Sequence, residues 1–198
     1  MIVLMAVLGS LAATIPQQQI SLPPSRSESA ACLARRHPKE VDQALEHRSI
    51  GSIAASLRSI PSSGCSPLTV DDARAVEQRG LLFAAMYRRY GPQAGRSASN
   101  IINRWTPPLP AGDLRIGWYV VTDCLVYRAP AVARKLVNAA DGSEEESRQL
   151  AKVIEELPKC LPASQFRISR TLLKGFIAET VYEIDFAYTS GNHRFFND

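Results

Sequence analysis

The chain has 198 residues, 45% hydrophobic and 21% charged, with a net charge of +4 and four cysteines. That allows one ordinary domain or two small ones with an apolar core, and it excludes a disordered or collagen-like chain. Residues 1–100 hold eleven Lys/Arg against seven Asp/Glu, and residues 101–198 hold twelve of each. The basic residues are scattered singly, with no dense run and no stacking platform, so no nucleic-acid partner is expected.

The first fifteen residues, MIVLMAVLGSLAATI, carry no charge and are too short to cross a bilayer as a helix. Ser10-Leu11-Ala12 gives the small-x-small pattern that signal peptidase cuts, although a basic n-region is missing. Residues 1–12, extending to about residue 20, are therefore read as a signal peptide. Residues 13–26, rich in Gln, Ser and Pro, are read as a disordered leader. A periplasmic or secreted chain follows, with no transmembrane span once the leader is removed.

CLARRHP at 32–38 and CLVYRAP at 124–130 place Cys, Leu, Arg and Pro at the same offsets. Cys65 is followed by Tyr87 at the distance that separates Cys160 from Tyr182, and RGLLFAAMY (79–87) aligns without a gap on KGFIAETVY (174–182). The first block repeats at an offset of 92 and the second at 95, which places a three-residue insertion near ADGSEEES (140–147). The expected fold is all-α, a tandem duplication of a small disulfide-stapled unit of about four helices. The units are residues 27–92 and 116–190, joined by a proline-rich linker (93–115) and followed by a tail (191–198). Trp105 lies in that linker.

Each unit parses alike. A cysteine-bearing helix runs to Arg36 or Arg128, with WYVV (118–121) also readable as a strand in the second copy. Pro38 and Pro130 end it and open the next helix, because proline suits a first helical turn. Val41, Ala44 and Leu45, like Val132, Leu136 and Val137, are apolar at helical spacing. Ser143 and Glu146 predict a capping box before a third helix, with Leu150, Val153, Ile154 and Leu157 as its apolar stripe. SIGSIAASL is its counterpart in the first copy. The fourth helix is apolar on more than one face and should lie inside the bundle. Gly80 and Gly175 cost about 1 kcal/mol of helix propensity relative to Ala, a cost explained by close approach of another helix backbone. Tyr87 and Tyr182 should point their rings inward and their hydroxyls to a buried partner or the rim.

The four cysteines, Cys32, Cys65, Cys124 and Cys160, show no CxxC and no zinc spacing. Duplication favours Cys32–Cys65 and Cys124–Cys160; the swapped pairing Cys32–Cys160 with Cys65–Cys124, and four reduced thiols, are the alternatives. A bridge closing a loop of about 35 residues contributes roughly 3–4 kcal/mol.

His37, His47 and His193 form no metal pattern, and no nucleotide-loop or hydrolase motif occurs, so no metal or cofactor is expected and no catalytic residue is assigned. Glu179 stands out. It replaces Ala84 of the first copy within an apolar run, and a buried lone carboxylate is costly. It is read either as half of a buried ion pair, with Arg36, Arg128, Arg167 or Arg170 as candidate partners, or as an acid in a site with Glu183 beside it.

The pattern Cys-Leu-x-x-Arg-x-Pro … Cys … Arg/Lys-Gly-(six residues)-Tyr resembles a group of uncharacterised exported proteins of alphaproteobacteria. It covers 32–87 and 124–182 and is silent on activity. CLPASQFRISRTLLKGF (160–176) also resembles the C-terminal part of small periplasmic helical immunity proteins that neutralise secreted antibacterial enzymes. The functional expectation is an exported, non-catalytic helical protein that binds another protein or an envelope component. The alternative is an envelope enzyme with a site between the copies that uses Glu179.

Overall fold

A computed structural model describes residues 25–46, 50–68, 74–102, 114–161 and 168–189. The residues up to 24 that are read as signal peptide and leader, together with Trp105, His47, Arg167, His193 and the tail, lie outside these residues. All regular structure among them is helical.

The first half runs α1 (Arg26–Arg36), α2 (Pro38–Leu45), α3 (Ile50–Arg58) and α4 (Ala75–Ile102). The second repeats the order as α5 (Leu114–Arg128), α6 (Pro130–Asn138), α7 (Glu144–Glu156) and α8 (Arg170–Thr189), with a 3-10 turn at Leu157–Lys159. Pro38 and Pro130 each open a helix, their missing N–H falling where no intrahelical acceptor is available. The boundaries depart from the sequence reading at the linker. Residues 93–102 continue α4, and α5 begins at Leu114, so the connecting stretch is shorter than 93–115. Pro92 removes one backbone donor from α4 without ending it. WYVV is helical, not a strand. Val121 at its end and Leu125 and Val126 beyond it are buried, and packing overrides the β-propensity of the stretch.

Capping follows local chemistry with one deviation. Ser25 and Glu28 form a full capping box on α1. At α7, Ser143 Oγ accepts from the Glu146 amide at 3.1 Å, but the Glu146 carboxylate accepts from Gly142 N at 2.6 Å rather than from Ser143 N. Gly142 takes φ +74°, the left-handed region that turns the chain into α7. Within the expected α7 stripe, Leu150 and Val153 are buried while Ile154 is 45% exposed.

Both bridges close within a half: Cys32–Cys65 with Cα atoms 5.7 Å apart, and Cys124–Cys160 likewise at 5.7 Å. Each ties the first helix of its half to the segment after the third, across sequence separations of 33 and 36. The halves are not strung side by side. Helix α4 packs along α8 as the most extensive helix–helix contact, and α4 also meets α6. One core results, in which Leu82, Phe83, Ile177 and Val181 of α4 and α8 join Leu33 and Val41 of the first half and Leu125 and Leu136 of the second.

Candidate functional site

The chemistry of the molecule is concentrated where α4 crosses α8. A Cβ built on Gly80 would stand 2.4 Å from the Gly175 Cα, so only hydrogen side chains permit this approach. The close approach foreseen for the two glycines is therefore one shared contact, each glycine against the other.

Beside that crossing, Arg79, next to Gly80 on α4, donates through Nη2 to Oε1 of Glu179, one turn past Gly175 on α8, at 2.6 Å. Both residues are buried, at 1% and 3% exposure. The Tyr119 hydroxyl donates to the second oxygen, Oε2, at 3.0 Å, and its ring meets Phe176 edge-on at 5.4 Å. The Arg79 guanidinium also lies 4.8 Å over the Phe83 ring. Burial and the negative charge of Glu179 both push the Tyr119 phenol well above the ordinary tyrosine range. For Arg79, burial disfavours the cation, but the Glu179 hydrogen bond and charge outweigh it and raise its pKa. Of the two readings of Glu179, the structure shows the buried ion pair. Its partner is Arg79, not the arginines near it in sequence: Arg128 instead bonds Glu156 at 3.1 Å on the surface, and Arg36 is exposed, its guanidinium beside Gly64.

A second cluster surrounds Asp185 of α8, which is fully buried. Arg134 of α6 binds it with two donors, Nε to Oδ2 at 2.9 Å and Nη2 to Oδ1 at 2.7 Å, a bidentate geometry. Tyr87 of α4 donates to Oδ2 at 2.8 Å. Tyr182 of α8 reaches the other way and donates to Asp42 of α2 at 3.0 Å, its ring 5.3 Å from Phe83. The two repeated tyrosines thus each cross to the opposite half, ring inward and hydroxyl on a carboxylate, as their positions in the apolar runs suggested.

The third cluster centres on Lys174, 5% exposed, whose ammonium donates to Ala139 O at 3.1 Å, Asp141 Oδ1 at 2.5 Å and Glu146 Oε1 at 2.6 Å. Three protons meet three acceptors. Burial pushes the Asp141 carboxyl up, but hydrogen bonds from Lys174 and Ser27, with the charges of Lys174 and Arg88, more than offset that and hold it below the ordinary aspartate range.

A cavity of about 360 Å³ opens beside Lys174. Its floor includes the buried Gly80, Ala84, Leu136, Leu150 and Gly175, and its rim carries the exposed Arg26, Ser147, Arg170 and Thr171. Arg26 also approaches Glu77 at 3.5 Å across this rim. Glu179 does not line this cavity. Ala84, the residue at the equivalent place in the first half, lines it instead.

His37 sits apart at a helix junction, its Nε2 3.3 Å from Ser63 O. Among the described residues no group of three or more His, Cys, Asp or Glu side chains could hold a metal ion, and no helix is long and apolar enough to cross a membrane. Sequence reasoning missed Arg79, Arg134, Asp185 and Lys174. Asp185 carried the same signal as Glu179, an acid inside an apolar helix, and the repeated basic residue before each glycine pointed to Arg79 and Lys174. Comparison of the chain with family models, curated proteins and solved structures found no match.

Proposed function

We propose that this is an exported, non-catalytic helical protein that binds another protein or a component of the cell envelope. The observation that carries the reading is the use to which the buried charges are put. Glu179, Asp185 and Lys174 are each consumed in pairs that join helices to one another, which leaves their carboxylates and ammonium without the freedom a proton-transfer residue needs. Two disulfides in a chain of this size fit an oxidising compartment, where they persist. The apolar N-terminal run with its Ser10-Leu11-Ala12 pattern points the same way.

A stapled bundle with a solvent-open recess on the seam between its halves offers a place where a ligand or partner side chain can dock. The test is affinity purification of the disulfide-intact protein from the periplasmic fraction, run beside a protein reduced and alkylated beforehand. A partner enriched by the oxidised form and lost from the reduced one supports the proposal. Equal recovery from both forms, or the same chain found only in the cytoplasm by cell fractionation, would contradict it.

A further inference from the structure

The seam carries two equivalent polar positions, and only one of them is filled. Around Arg79 stand Glu179, Tyr119 and Phe176. Shifted by the repeat offsets of 92 and 95, these four positions are Lys174, Ala84, Ser27 and Leu81. All four line the cavity. The recess is thus the place where one half keeps a phenol, a second ring and a carboxylate, and where the other has a hydroxymethyl, an isobutyl and a methyl. Its volume of about 360 Å³ falls in the range of about 300–1,000 Å³ typical of small-ligand sites.

What is absent from the open position is narrower than the list suggests. The carboxylate that Ala84 fails to supply is replaced by Asp141, in the turn between α6 and α7, and by Glu146, in the first turn of α7, which already hold Lys174. Two carboxylates therefore face one ammonium, and a further anion brought there would be repelled. An uncharged ring with a hydroxyl donor meets no such penalty. In the filled half that group is Tyr119, its ring against Phe176 and its hydroxyl on a carboxylate that is itself paired with a buried cation.

We propose that the cavity binds a phenolic ring, with the ring against Leu81, Ala84 and Leu150 and its hydroxyl donating to the Asp141–Glu146 pair. This rests on the binding role proposed above, under which the phenol is a tyrosine side chain of the partner. A free phenol is the other source of the same chemistry.

The experiment titrates p-cresol, the side chain of tyrosine, into the disulfide-intact full chain and follows amide and methyl NMR signals. Saturable shifts confined to Leu81, Ala84, Leu150 and their neighbours are expected. Toluene, which lacks the hydroxyl, should bind about tenfold more weakly, the scale of one hydrogen bond to a charged acceptor. Ser27→Tyr restores the ring found in the filled half and should abolish p-cresol binding; Ala84→Leu narrows the same space and replaces it if the first variant does not fold. No saturable shift, toluene binding equal to p-cresol, or undiminished p-cresol binding in the filled variant overturns the proposal. N-acetyl-tyrosine methylamide separates the sources. If it binds at the same residues, the partner-borne tyrosine is supported. Binding of p-cresol without the peptide keeps the cavity's phenol chemistry, assigns it to a free ligand and removes support from the protein-binding role.

Discussion

Gly80 and Gly175 meet backbone against backbone, and the contact is not symmetric. A Cβ on Gly80 would lie 2.4 Å from the Gly175 Cα, whereas a Cβ on Gly175 would lie 3.1 Å from the Gly80 Cα. Alanine raises helix propensity by about 1 kcal/mol at either place, but at Gly80 the helices must separate to admit it. Gly80→Ala should therefore lower stability by about 1–3 kcal/mol. Gly175→Ala should cost distinctly less, because a shift of a few tenths of an ångström relieves it. Urea denaturation of the two variants gives the comparison, and equal losses would mean the crossing is looser than described.

The Arg79–Glu179 pair predicts a difference between breaking and replacing. Glu179→Ala leaves a buried guanidinium without its carboxylate and should cost about 3–5 kcal/mol. The double variant Arg79→Met with Glu179→Leu removes both charges and should recover most of that loss, since desolvation of a buried pair often cancels its attraction. Thermal melts of the single and double variants measure this. A double variant as unstable as the single one would show that the pair contributes more than charge neutralisation.

Acid and alkali should act through different residues. The Asp141 carboxyl is held below its ordinary range in the folded protein, so the stability it contributes is present above the unfolded value, about 4. It is lost as pH falls through the lowered folded value. Asp141→Asn should flatten this part of the acid limb. The Tyr87 phenol is pushed up by burial and by the charge of Asp185, with Arg134 partly opposing. Its contribution is intact below about pH 10 and falls by about 1.4 kcal/mol per pH unit above that, as the unfolded chain ionises first. Tyr87→Phe should remove its share of the alkaline slope, that of Tyr119 remaining, while leaving Asp185 held by Arg134.

Each disulfide should contribute roughly 3–4 kcal/mol in the chain-entropy account, for closed loops of this length. Replacing Cys32 and Cys65 together by serine should lower stability by that amount without opening the other bridge. Mass spectrometry of the unreduced variant should then find no alkylatable thiol, since Cys124 and Cys160 stay joined. Four free thiols in the unreduced wild-type chain would contradict both bridges.

The helix order was readable because its signals are local. Pro38 and Pro130 mark where one helix gives way to the next, and the repeated cysteines pointed to bridges within each half. The polar clusters were readable only in part. Glu179 announced a need for a partner, but Arg79 lies 100 residues away, a distance at which sequence carries no periodicity. The alternative reading of WYVV as a strand failed because strand propensity reflects the surface a side chain packs on, and Val121, Leu125 and Val126 enter a helical core. The end assigned to the first unit at residue 92 falls inside a helix: α4 continues through Gly91 and Pro92 to Ile102, with Gly91 buried beside the Tyr87 ring. The cavity had no local signal. It becomes visible only when Ser27, Leu81, Ala84 and Lys174 are compared with their counterparts in the other copy.

Tyr87 and Tyr182 each anchor on a carboxylate beyond their own half, Asp185 and Asp42. Neither half can therefore satisfy its own phenol, and a fragment severed between Ile102 and Leu114 would begin life with an apolar helix face and no lid. Its folding should depend on concentration, becoming efficient only when the complementary fragment, or a second copy of itself, is supplied to complete the handshake.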